Sequence, residues 1–220
     1  MTRFREAGLT GRAPRQVAPP LDRLWVPRAS AVLPETVVTP PIPWTPLGND
    51  RVGDCVEAAT AHAIQAAEWT LSSTYVPFLT SQVVDTYNLY RREYDQGKDL
   101  GTLPEVFETW VEKGLWGWKG DYATVTTDEP TLKAAINEFG NVLLEVVLHD
   151  CDATAYEYGR PWTVERSPGN IYGLHEIALV GYNRSWFEAV TWGTVIKVSP
   201  RWVADYTSLA TSLKDLVRIS

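Results

Sequence analysis

Cysteine is scarce in this chain: Cys55 and Cys151 are the only two in 220 residues. Two thiols make no disulfide framework, and free thiols fit a reducing compartment. Histidine is limited to His62, His149 and His175. No CxxC, HExxH or other His/Cys cluster has metal-ligand spacing, so no metal and no other cofactor is expected. No run of about 18 apolar residues occurs, which leaves no candidate membrane span and no membrane partner. The N-terminus has no apolar stretch of the signal-peptide kind, so the expected location is cytoplasmic.

Basic residues are thin over most of the sequence. Residues 1–28 hold six arginines (Arg3, Arg5, Arg12, Arg15, Arg23, Arg28) against Glu6 and Asp22, while the chain as a whole carries −7. The remainder is therefore strongly acidic, which argues against nucleic acid as a partner. Hydrophobic content of 45% and charged content of 21% are those of a globular protein. Ten Trp and ten Tyr point to aromatic-rich packing or an aromatic-lined surface.

Nine of the fifteen prolines fall within residues 1–46. Proline fixes φ and removes a backbone donor, so residues 1–45 are expected as an extended arm without a long helix or central strand. Leu24, Trp25, Val26, Val37, Val38, Ile42 and Trp44 are its candidate anchors. Three readings of the arm stand side by side: a strap on its own domain, an arm gripping neighbours in an assembly, and a propeptide-like cover.

The stretch Asn49-Asp50-Arg51-Val52-Gly53-Asp54-Cys55 and the alanine-rich run behind it organise the rest. Gly53 permits a sharp turn. Asp54 is expected as an N-cap. Cys55 then falls in the first turn of a helix, where the dipole favours thiolate, the nucleophilic form. Further helices are expected over 80–94, 103–113, with Pro104 early and Gly114 as C-cap, and 129–139, capped by Asp128 and closed by Gly140. Residues 95–97 and Gly101 keep the interval before the 103–113 helix irregular. Val142–Leu148 reads as a buried strand, 149–173 as irregular, 174–182 and 187–198 as strands, and 200–216 as a closing helix. Helices first and antiparallel strands last make an α+β fold.

His175 stands behind Gly173 at the start of a buried strand, 120 residues after Cys55. A Cys/His pair lets imidazole hold a thiolate and later protonate a leaving group. His62, seven residues along the Cys55 helix, is about 10 Å away along the axis and too distant to be the base. His149 lies two residues from Cys151, and that second pair is conceivable without any recognisable context.

Asn49-x3-Gly53-x-Cys55, Gly173-x-His175-x-Ile177-Ala178-x-Val180-Gly181-Tyr182 and Thr191-Trp192-Gly193 together resemble the three blocks of papain-like cysteine peptidases, over about residues 47–206. A loop containing Gly97 and the interval from Gly114 to Leu148 fit the same order. The resemblance implies a papain-like domain at 46–220, catalysis by Cys55 and His175, Asn49 as oxyanion donor, and Gly53, Asp54 and Trp192 in the cleft for a peptide or protein substrate. The family's orienting Asn is replaced by Val190, which cannot hydrogen-bond imidazole. Glu188, which shares a strand face with Val190, and Asn183, in the preceding turn, are the candidate substitutes. The sequence also resembles papain-like proteins of actinobacteria and their phages. That resemblance implies a second reading, a catalytically weak scaffold in a larger assembly such as a phage particle, tethered by residues 1–45.

Overall fold

The computed structural model describes residues 21–28, 32–93 and 103–219. Among the described residues, six α-helices and six strands follow in the order α1 Cys55–Ser72, α2 Thr80–Glu93, α3 Leu103–Glu112, β1 Trp118–Thr124, α4 Glu129–Phe139, β2 Val142–His149, α5 Asp150–Glu157, β3 Ile171–Tyr182, β4 Phe187–Thr191, β5 Thr194–Val198, α6 Pro200–Tyr206 and β6 Thr207–Arg218. The strands form one sheet in the order β1-β6-β2-β3-β4-β5. Each neighbouring pair is antiparallel. This is the expected α+β architecture. The expected irregular stretch around Gly97 and Gly101 lies outside the described residues.

Strand alternation sorts the sheet into two cores. On one face Leu143, Ala178, Val180, Val190 and Leu209 pack against Ala59, Ala63 and Ile64 of α1. Every residue of α1 from Val56 to Ala67 is buried. Alanine explains this, because its methyl lets a helix backbone lie close to a sheet without side-chain entropy loss. On the other face Leu144, Ile177, Leu179 and Phe187 meet Leu132 and Ile136 of α4 together with Trp162 and Trp202. Those two indoles lie 4.9 Å apart.

Local chemistry sets several boundaries. Asp128 accepts from the Thr131 backbone N–H at 3.0 Å and caps α4. Gly140 ends that helix at φ 74°. Four segments depart from expectation, the first of them β1, at 118–124, where no strand was read. Residues 150–157, read as irregular, form α5, whose first turn is held by Asp152 accepting from His149 N at 2.8 Å. Residues 187–198, read as one strand, are the hairpin β4–β5. Residues 200–216, read as one helix, are helix only as far as Tyr206 (α6), and strand β6 runs from Thr207 to Arg218. Leu209, Leu213 and Leu216 are spaced as on a helix face, but the segment is inserted between β1 and β2 and hydrogen-bonds to both. Non-local pairing overrides that weak local pattern.

The described part of the proline-rich arm straps the domain. Trp25 N donates to Thr124 O at 2.9 Å, and the Trp25 ring meets Phe139 edge-on at 5.2 Å. Arg23 pairs with Asp121. Val37 and Tyr182 exchange two backbone hydrogen bonds. Thr45 offers its carbonyl to His62 Nε2 at 2.8 Å. Among the described residues, no helix is long and apolar enough to cross a membrane.

Candidate active site

The turn before α1 is built on positive-φ backbone. Leu47 and Gly48 have φ of 55° and 112°. A Cβ on Gly48 would stand 2.6 Å from Asp54 Oδ2, so only glycine leaves room for that carboxylate. Asp54 occupies the N-cap position of α1 yet makes no side-chain cap hydrogen bond. The expected capping by Asp54 is thus corrected: its carboxylate is turned back against Gly48. Asn49 is buried, with its Nδ2 3.5 Å from the Val52 carbonyl within the same loop.

Cys55 is the first residue of α1 and is half-buried. It stands at the edge of β3, because β4 pairs with β3 only as far as Ala178. Beyond that point the backbone N–H of Glu176 donates to the Cys55 sulfur. Burial pushes the Cys55 thiol well above its ordinary value, and the negative charges of Glu176, Glu57 and Asp54 push the same way, against the lowering by the Glu176 amide. The expectation of a dipole-favoured thiolate is therefore corrected for the resting site. Desolvation and three acidic neighbours outweigh the helix terminus.

His175 precedes Glu176 on β3 and is 2% exposed. Its Nε2 lies 2.7 Å from Thr191 Oγ1. Its ring stacks on Trp192, with centroids 4.4 Å apart and planes inclined by 17°. Nδ1 makes no hydrogen bond with any described residue. Burial pushes the imidazole down to about 3. Trp192 is walled in turn by Tyr156, 4.6 Å away, and Trp162, 6.3 Å away. Trp192 and Gly193, at φ 46° and 73°, form the two-residue turn between β4 and β5. A left-handed tryptophan costs about 1–2 kcal/mol and persists only where its surroundings over-determine it.

The two candidate orienters are corrected. Asn183 Oδ1 accepts from the backbone N–H groups of Ser185 and Trp186 at 2.8 and 3.0 Å, and so closes the β3–β4 turn. Glu188 accepts from the Thr39 hydroxyl of the strap. Both are committed elsewhere, and Val190 packs in the α1 core. Thr191 was missed as an imidazole partner because motif alignment drew attention to Val190. Counting alternation from Phe187 and Ala189 would have placed Thr191 on the face of His175. The His149/Cys151 pair is also corrected. Each engages Asp152 instead: His149 Nδ1 lies 3.7 Å from Asp152 Oδ2. Burial and Asp152 push the Cys151 thiol up to about 11.

No family model matches the sequence, and no curated protein matches it. Solved structures do match its shape. Xylellain, a cysteine protease from Xylella fastidiosa, aligns with TM-score 0.69 at 17% identity, over 89% of this chain and 91% of that one. The cysteine protease CMS1MS2 of Carica candamarcensis aligns with TM-score 0.58 at 14% identity, over 83% and 99%. A recombinant stem bromelain precursor aligns with TM-score 0.57 at 13% identity, over 83% and 70%. The fold of this chain is that of the papain-like cysteine proteases.

Proposed function

We propose that this chain is a cysteine hydrolase acting on a peptide or protein, with Cys55 as nucleophile and His175 as base. One observation carries the reading. The Cys55 sulfur, on the first residue of a buried helix, abuts the amide joining His175 to Glu176, inside a fold shared with cysteine proteases. Cys55 attacks the scissile carbonyl and passes its proton to His175, which later protonates the leaving amine. The backbone N–H of Cys55 at the helix start and the amide of Asn49 are the donors for the developing oxyanion. The Asn49 amide must swing away from Val52 O to serve, and its 3.5 Å contact there is weak enough to exchange. Gly53, Asp54 and Trp192 border the cleft in this reading.

A second reading, a weakly active scaffold within a larger assembly, draws on the charge state of the resting site. Cys55 is held neutral, and the base sits at about 3. The two readings separate with E-64, the ligand in the Carica protease structure. Incubation followed by peptide mapping should find it on Cys55, with loss of labelling in His175→Ala and retained circular dichroism. Labelling absent from the wild type, together with no hydrolysis of a fluorogenic peptide library, would leave the scaffold reading.

A further inference from the structure

We propose that Thr191 is the positioning residue of His175, taking by a shift of one residue the task that Val190 cannot perform. The kinetic part of this proposal rests on the reading of Cys55 and His175 as a catalytic pair, while the structural part does not. The reason lies in the hairpin. Ala178 pairs with Val190, so the Val190 side chain follows Ala178 into the α1 core. The next side chain, Thr191, emerges on the opposite face, which is the face of His175, Ile177 and Leu179. Thr191 pairs with Thr194 across the Trp192–Gly193 turn. The positive φ of both turn residues lets the strand end at Thr191 and lets Trp192 fold back over the imidazole.

The hydroxyl then selects the tautomer. Thr191 Oγ1 can accept from Nε2–H or donate to a bare Nε2. The other nitrogen, Nδ1, is buried and without a partner among the described residues. A proton on Nδ1 would be an orphaned buried donor, and such N–H groups are rarer in native interiors than under-used acceptors. The proton therefore belongs on Nε2, donated to Thr191 at 2.7 Å, and Nδ1 keeps the lone pair. On the reading of Cys55 and His175 as a pair, that is the form in which His175 can take a proton, although Nδ1 makes no hydrogen bond to the Cys55 sulfur in the resting site. In the imidazolium that results, the Nε2–H bond to Thr191 survives unchanged. The face of Trp192 at 4.4 Å then lies against a cation. Thr191 is buried at 2%, so water does not compete for this bond.

The test uses the full chain in three forms: wild type, Thr191→Val, which keeps the shape and removes the hydroxyl, and Thr191→Ser, which keeps the hydroxyl. Two-dimensional ¹⁵N spectra of the histidine rings report the tautomer without any substrate. The wild type and Thr191→Ser should show His175 protonated on Nε2, and Thr191→Val should show a mixture or the Nδ1–H form. Hydrolysis of a peptide ester should lose at least about tenfold in kcat in Thr191→Val, with KM little changed, and recover in Thr191→Ser. A Thr191→Val protein with the wild-type tautomer overturns the proposal whatever its activity. If no form hydrolyses any substrate, the hydrolase reading fails while the tautomer spectra still decide the role of Thr191.

Discussion

Val37 N donates to Tyr182 O at 2.9 Å, and Tyr182 N donates to Val37 O at the same distance. This reciprocal pair ties the proline-rich segment to the end of β3 as a strand would be tied. The Tyr182 hydroxyl adds a bond to the Pro34 carbonyl at 3.1 Å. The strap is built into the domain at its centre, since a Cβ on Gly181 would stand 2.6 Å from Thr39 Oγ1 and 2.9 Å from Val37 O.

A chain beginning at Pro46 loses these bonds and the packing of Trp25, Ile42 and Trp44. Each large apolar side chain taken from cover forfeits about 1.5–3 kcal/mol. The total approaches the roughly 5–15 kcal/mol that holds a domain folded. The expected outcome is loss of cooperative thermal unfolding by circular dichroism. A truncated chain that stays folded but changes its sedimentation coefficient would instead assign the arm to association.

Gly193→Ala tests the approach of the strap to the β4–β5 turn. Gly193 has φ 73°, and an added Cβ would meet Pro46 N at 2.5 Å and the Thr45 carbonyl carbon at 2.6 Å. Backbone strain and the clash act together, for an expected loss of about 2–4 kcal/mol in urea unfolding. Unchanged stability would show that strap and turn move apart easily.

Asp152 is 1% exposed and accepts from Trp202 Nε1 at 2.8 Å and from His149 N at 2.8 Å. Asp152→Ala leaves both donors buried without an acceptor and should cost about 3 kcal/mol. Asp152→Asn keeps one acceptor oxygen and should fall between. Calorimetry of the two variants checks the order.

Acid should weaken the fold through two buried histidines. Burial pushes His62 down to about 4, against a smaller raising effect of its bond to Thr45 O, and pushes His175 down to about 3. Both folded values lie below the unfolded one near 6.5, so the unfolded chain binds more protons in the interval. The contribution is complete above about pH 6.5. It is lost progressively as pH falls toward about 4 for His62 and about 3 for His175, on the order of 3 kcal/mol or more each. The urea midpoint should fall steeply from pH 6.5 to 4, and His62→Gln should flatten that slope. A flat profile in the wild type would mean that neither imidazole stays buried and neutral.

Much of this architecture was legible before any coordinate. The helix at Cys55 follows from its alanine-rich apolar run, the α4 helix from its caps Asp128 and Gly140, and the buried strands around Val142–Leu148 and His175–Tyr182 from apolar runs, all of them local signals. The helix α5 was not legible because Asp152 holds its first turn through Trp202 and His149 N, partners that a linear reading does not pair. The strand β6 was not legible because its leucines carry a helical spacing and its true partners, β1 and β2, lie far away in the chain.

The sequence by itself determined that a cysteine opens a helix, that a histidine lies in a buried strand, and that the family's orienting asparagine is replaced by Val190. Those are identities and spacings, fixed by the covalent chain. Only the tertiary structure decided which side chain meets the imidazole and in what charge state the thiol rests. The first was decided by the parity of β4 against β3. Pairing Val190 with Ala178 sends Val190 into the α1 core and delivers Thr191, not Glu188 or Asn183, to His175. The second was decided by burial beside Asp54, Glu57 and Glu176, a field assembled from a helix start and a strand edge far apart in the chain.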